Sequence, residues 1–174
     1  PFSGIIDVFI VKYNTSGVAQ WATRIAGSST AYASGIAVDS SGNVYVNGYY
    51  DSYPLTIYNV GGSITLPTLP NSGNYDTFVV KYNTSGVAQW ASRIAGTDNN
   101  KGNGIAIDQN DNVYVTGEYD SNQLTIYNSD GSTTIPILPG TGNGDAFLVK
   151  YIGTTIAPAF TTFSLNPLTV NEGV

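Results

Sequence analysis

The stretch VKYNTSGVAQWA, Val11–Ala22, is written a second time, letter for letter, at Val80–Ala91, and a third start, VKY at Val149–Tyr151, breaks off. Working outward from it, Asp7, Asp76 and Asp145 stand 69 residues apart, as do Lys12, Lys81 and Lys150. Trp21 and Trp90, Arg24 and Arg93, Asp39 and Asp108, Tyr45 and Tyr114, and Gly48 and Gly117 keep the same offset. About 43 of the 69 positions agree between the two full copies without a gap. The differences gather at Gly27–Ser34 against Gly96–Asn103 and at DSSGN against DQNDN, segments that read as loops. Self-similarity at a fixed period is the signature of repeat architectures.

Within a copy the hydrophobic period is that of strands. DVFIVKY (Asp7–Tyr13) puts Phe9, Val11 and Tyr13 on one face and Val8 and Ile10 on the other, which predicts a strand covered on both sides. NTSG, with Gly fourth, predicts a tight turn closed by a left-handed residue, and VAQWATRI returns from it. GIAVD and NVYVNGYY predict a second hairpin. LTIYN (Leu55–Asn59) and SITLP (Ser63–Pro67) predict a short third one around VGG. No window carries helical periodicity, and Gly and Pro punctuate the chain at short intervals, so the fold class is all-β, repeated antiparallel sheets in blade-like units. Residues 1–151 form the repeat region, with units 7–75 and 76–144 and a partial unit 145–151. Residues 152–159 read as a linker, and 160–174 as an extended strand. A sheet of this size cannot bury two apolar faces alone and must stack on its like.

GIAVDSSGNVYVNGYY and DTFVVKYNTSGVAQWASRIAG resemble the SBBP (seven-bladed beta-propeller) repeat family. That resemblance rests on Gly35–Gly48, Gly104–Gly117, Asp7–Trp21, Asp76–Trp90 and, truncated, Asp145–Tyr151. It implies blade-like sheets and a scaffold or adhesive role of the kind such repeats have in exported bacterial surface proteins and giant-virus proteins. The inserts at 51–73 and 120–142 lengthen each repeat beyond the usual blade. Two units and one extra strand leave three arrangements open: a segment of a longer multi-blade protein, several chains completing a ring, or stacking from chain to chain into a fibre. The tail Phe160–Val174 resembles the first strand of an immunoglobulin-like or Calx-β-like domain. It reads either as the start of a further domain or as a donated strand, carried by Phe160, Phe163, Leu165, Leu168 and Val170, that adds to a neighbouring sheet edge.

Composition narrows the function. Charged residues make up 10%, against the usual quarter, and the net charge is −6 with no basic cluster, which leaves nucleic acid without an electrostatic footprint. No apolar run reaches the length of a membrane helix. Cys and His are absent, so thiol catalysis, thiolate metal sites and the commonest general base are excluded. No nucleophile elbow and no phosphate-cradling glycine loop occurs. The expectation is a non-enzymatic module, extracellular or on a cell or virion surface, whose partners are copies of itself, further repeats of the same chain, or cell-surface glycans. Membrane insertion is not expected.

Candidate interaction residues are Trp21 and Trp90, which read either as sugar-stacking platforms or as fillers between sheets, and Tyr49, Tyr50, Tyr53 and Tyr119 at a strand end and its loop. Asp108, Asn110 and Asn112 have an alternate spacing similar to calcium loops. Asx side chains bonding their own backbone in a turn explain the same pattern, so no cofactor beyond calcium is considered. The charges repeated in phase, Asp7/Asp76/Asp145, Lys12/Lys81/Lys150, Arg24/Arg93 and Asp39/Asp108, predict structural pairs that fix strand register. Asn14 and Asn83 head N-glycosylation sequons on turn tips.

Overall fold

The computed structural model describes residues 4–133, 135–141 and 144–152. They form β1 (Val8–Tyr13), β2 (Ala19–Gly27), β3 (Ala31–Val38), β4 (Val44–Tyr50), β5 (Leu55–Ile57), β6 (Asp76–Tyr82), β7 (Ala88–Ala95), β8 (Asn100–Ile107), β9 (Val113–Tyr119), β10 (Gln123–Ile126), β11 (Leu138–Pro139) and β12 (Asp145–Tyr151). The chain is all-β, as expected from the sequence. The predicted strand at 160–174 and nearly all of the linker lie outside the described residues.

Side chains build the turns. Asn14 Oδ1 accepts from the Ser16 and Val18 amides at 3.0 and 2.8 Å, while Gly17, at φ +77°, donates to the Asn14 carbonyl. Asn83 and Gly86 repeat the device between β6 and β7. The Asx side chain replaces one turn of backbone bonding, and glycine takes the left-handed position at no steric cost.

Three sheets result, in strand orders β1-β2-β5, β3-β4-β6-β7-β10-β11 and β8-β9-β12. The central sheet takes β3 and β4 from the first sequence copy and the rest from the second, because β4 pairs with β6 in register from Val44↔Tyr82 to Tyr50↔Asp76. A complete blade therefore straddles the boundary between sequence copies.

The expected third hairpin is corrected. Leu55–Ile57 pairs with β2, a 3₁₀ turn occupies Val60–Gly62, and Ser63–Pro67 forms no strand. The return contact is a bridge at Leu55↔Leu69, which corresponds to β10 pairing with Leu138–Pro139 in the second copy. Pro67 and Pro70 carry no amide hydrogen and donate no ladder bond, which keeps this return contact short.

Two cores lie between the sheets. Val8, Ile10, Trp21 and Ile25 of the first sheet meet Val46, Tyr50, Phe78, Val80 and Tyr82 of the second. Tyr45, Val79, Ile94 and Leu124 of the second meet Val115, Tyr119, Phe147, Val149 and Tyr151 of the third. The central strand β6 is thus buried on both faces except at Lys81, as its two apolar faces predict.

Candidate functional site

The same strand occurs three times, and its surroundings differ. Phe78 on β6 is fully buried and Phe147 on β12 is 3% exposed, but Phe9 on β1 is 80% exposed. Tyr82 and Tyr151 are buried, whereas Tyr13 is 60% exposed. The difference is what packs on that face: the first sheet stacks on Phe78 and the second on Phe147, whereas Phe9 belongs to neither core. β4 lies beside β6 and brings the Tyr50 ring to 6.3 Å from Phe78. β9 lies beside β12 and brings Tyr119 to 6.5 Å from Phe147. Among the described residues no strand pairs with the corresponding edge of β1. Beside it opens a groove of about 320 Å³ lined by Phe9, Ile10, Val11, Gly35, Ile36 and Val46. Ile36 is also largely exposed. This apolar face, with an unpaired edge along it, is the strongest candidate interaction site.

Of the two readings for the tryptophans, the geometry fits filler between sheets. Trp21 is buried in the first core, donates its indole N–H to the Thr84 carbonyl at 2.9 Å and lies 6.4 Å from Tyr82. Trp90 stacks on Tyr151 at 5.6 Å and takes Tyr45 edge-on at 5.9 Å. Tyr50 and Tyr119, expected on a recognition surface, are buried instead. Their hydroxyls donate to the Pro70 and Pro139 carbonyls at 2.7 and 2.8 Å, because each insert folds back over the strand end.

Tyr49 and Tyr53 remain accessible. Tyr49 is half-buried among Tyr32 at 5.1 Å and Tyr75 at 5.3 Å, and the Lys101 ammonium sits 5.7 and 5.4 Å from the Tyr49 and Tyr75 rings. Tyr53 is exposed. Sequence reasoning missed Tyr32, Tyr75 and Lys101. The signal was there, since the cluster falls where the two copies differ. Phe9 was missed as well, although its phase with Phe78 marked it.

The Asp108 carboxylate is spent on its own turn. It accepts from the Asn110 and Asn112 amides, both at 2.9 Å, from Asn112 Nδ2 at 2.8 Å and from the Tyr114 hydroxyl at 3.0 Å. The Asn112 side chain leads these donors in holding its pKa down at about 2. Asp39 has the same set from Ser41, Asn43 and Tyr45. Burial pushes Asp39 up, but Asn43, Tyr45 and Lys81 outweigh it and keep it below its ordinary value. Asn110 contributes its backbone amide to the turn, so Asp108, Asn110 and Asn112 together make an Asx-braced hairpin loop.

Four of the phased charges form two pairs in the central sheet, Lys81 with Asp39 at 3.5 Å and Arg93 with Asp76 at 3.3 Å. Arg93 also donates to Ser72 Oγ at 2.6 Å and lies over the Tyr127 ring at 3.9 Å, an arrangement Arg24 repeats over Tyr58 at 4.3 Å. Burial raises Asp76 to about 6, against the opposing pull of the Ser72 amide and Arg93. Lys150 sits 5.3 Å from the Tyr114 ring. Phe160, Phe163, Leu165, Leu168 and Val170 lie outside the described residues.

Residues 20–55 and 89–122 match the SBBP beta-propeller repeat, so the chain carries this repeat twice. An uncharacterized WD repeat-containing protein of Acanthamoeba polyphaga mimivirus is 32% identical over 163 residues, 83% of this chain and 12% of that protein. The regulatory protein FlaEY of Caulobacter vibrioides is 27% identical over 151 residues, 87% of this chain and 14% of that protein. The chain therefore spans about an eighth of the length of these relatives.

Proposed function

We propose that this SBBP-repeat chain is a non-enzymatic structural module of an extracellular or virion-surface assembly, a segment of a fibre or repetitive adhesin that joins further copies through its incomplete sheets. The observation that carries this reading is the contrast between Phe9, 80% exposed, and its counterparts Phe78 and Phe147, both buried between stacked sheets. An apolar face that is covered at two of its three occurrences suits a strand that packs against a further sheet at the third. The low charge and the lack of Cys and His support a surface role over a catalytic one. The tail 160–174, with Phe160, Phe163, Leu165, Leu168 and Val170 in alternation, is a second candidate strand for addition to a neighbour. Sedimentation velocity and negative-stain electron microscopy test the reading. Concentration-dependent oligomers or filaments that Phe9→Asp abolishes support it, and monomers at every concentration reject it.

A second reading, a carbohydrate-binding module, draws on the Tyr32–Tyr49–Tyr75 cluster with Lys101, since sugars stack on aromatic rings at accessible surfaces. Glycan-array binding that disappears in Tyr49→Ala with an unchanged circular dichroism spectrum supports it. Binding that survives that change rejects it.

A further inference from the structure

Two positions that differ between the sequence copies stand opposite each other within one hairpin. Tyr32 on β3 pairs with Tyr49 on β4, and 69 residues on the same places carry Lys101 on β8 and Glu118 on β9, again paired. One unit thus presents two tyrosines where the next presents an ammonium and a carboxylate. The fold brings the two pairs together. The Lys101 ammonium lies 5.7 Å from the Tyr49 ring and 5.4 Å from the Tyr75 ring, and Tyr75 meets Tyr49 edge-on at 5.3 Å. Gly102 permits this approach. A Cβ there, such as its counterpart Ala33 carries, would lie 2.6 Å from Thr77 Cγ2 and 3.0 Å from Asn47 Nδ2, so β8 could not come as close to β4 and β6.

The polar atoms of this cluster are not spent on the protein. The hydroxyls of Tyr45 and Tyr114 donate to turn aspartates at 3.1 and 3.0 Å, and those of Tyr50 and Tyr119 to insert carbonyls. Among the described residues, the hydroxyls of Tyr32, Tyr49 and Tyr75 and the Lys101 ammonium have only rings beside them and no hydrogen-bond partner. All four side chains are half-buried, and Glu118 is exposed. Ring surface next to unspent donors suits a ligand with an apolar face and a hydroxylated rim, which is a pyranose sugar. The local charge then selects among sugars. Lys101 brings one positive charge, while Glu118 opposite it and Asp98 and Asp120 close by along the chain bring negative ones. Asp98 holds Asn74 Nδ2 at 2.8 Å and Asp120 holds Asn99 Nδ2 at 3.1 Å, amides that leave both charges in place. A carboxylated sugar would meet more like charge than unlike.

We infer that Tyr32, Tyr49, Tyr75, Lys101 and Glu118 form a binding site for a neutral pyranose residue of a glycan. Its apolar C–H face lies against the tyrosine rings, one hydroxyl accepts from the Lys101 ammonium, and the adjacent hydroxyl donates to the Glu118 carboxylate. Directly opposed side chains on paired strands start about 5 Å apart at Cβ, a span that two neighbouring hydroxyls of one ring bridge. The three tyrosines come from the first sequence copy and the two charged residues from the second, so neither unit has the site alone. The inference rests on the carbohydrate-binding reading above and adds to it the sugar class and the charged pair that selects it.

The test offers the whole chain to an array of neutral oligosaccharides and of oligosaccharides containing uronic or sialic acid. Binding is mapped by NMR titration of the isotope-labelled chain with the methyl glycosides of glucose, galactose, mannose and glucuronic acid. The expected result is that neutral glycans bind and that at least one neutral glycoside saturably shifts the amides of Tyr49, Lys101 and Glu118, with the glucuronide at least about tenfold weaker. Lys101→Ala weakens the neutral sugar by at least about tenfold with an unchanged circular dichroism spectrum, and Glu118→Gln weakens it while strengthening the glucuronide. A glucuronide bound as tightly as the neutral sugars, shifts confined to other residues, or neutral binding that survives both Lys101→Ala and Glu118→Gln overturns the inference. If acidic glycans bind and Tyr49→Ala removes them, the carbohydrate-binding reading stands and only the neutral class falls. If no glycan of either kind shows binding that depends on Tyr49, both fall.

Discussion

Phe9 and Phe78 provide an internal control that few proteins offer, the same residue in the same strand with and without a neighbour. Truncating each to alanine tests directly whether the neighbour creates the stability. A buried phenylalanine removes about 150–250 Å² from water, and at about 25 cal/mol per Å² its burial contributes about 4–6 kcal/mol as an upper bound. Measured truncations of such rings cost about 3–5 kcal/mol, because relaxation of the surroundings partly offsets the cavity left behind. Phe78 touches Tyr50 on β4 and lies wholly within the first core, so Phe78→Ala is expected to cost about 3–5 kcal/mol in urea unfolding. Phe9 keeps 80% of its surface in water in the single chain, so Phe9→Ala is expected to change stability by less than about 0.5 kcal/mol at dilute, monomeric concentration. Phe147→Ala, at 3% exposure, belongs with Phe78. Equal losses for Phe9 and Phe78 refute the reasoning, since the strand would then be stabilised by its own sequence and not by what covers it.

Three further outcomes are expected. Arg93→Met leaves the carboxylate of the buried Asp76 without its cation and costs about 3 kcal/mol at pH 7 in thermal or urea unfolding, and Asp76→Asn in the same chain restores part of the loss. Because Asp76 binds its proton more tightly folded, at about 6, than at the ordinary 3.8, the folded state gains stability as the pH falls from 7 towards 4. Asp108, held at about 2, contributes stability present above 3.8 and lost between there and about pH 2, so the melting temperature peaks between the two windows and Asp76→Asn removes only the upper slope. Tyr50→Phe and Tyr119→Phe each delete a hydroxyl bond to an insert carbonyl and cost about 1 kcal/mol, with faster proteolysis of 66–70 or 135–139 respectively.

The hairpins were legible because their information is local. Asn14 with Gly17 and Asp39 with Asn43 close their turns through bonds two to four residues apart, a range that periodicity and turn chemistry read directly. The blade was not, since the β4–β6 pairing joins residues of different sequence copies and a repeat carries its period but not its phase. The same limit misplaced Tyr50 and Tyr119. A tyrosine at a strand end looks exposed until an insert twenty residues on returns a proline carbonyl to its hydroxyl. The aromatic cluster around Tyr49 needed three dimensions for the same reason, as Tyr32, Tyr75 and Lys101 come from three different strands or their flanks.

The repeated strand shows how one sequence meets different surroundings. An exposed flat apolar strand invites any partner, and proteins ordinarily blunt it with charge or proline. β1 has only Lys12 for that purpose, and the Lys12 ammonium is turned towards the Thr84 carbonyl at 3.4 Å. Phe9, on the outer face of β1, is the counterpart of Phe78 and Phe147, and those two are buried where another sheet stacks on that face. The same strand is therefore core or surface according to what packs on it, and its sequence alone does not say which.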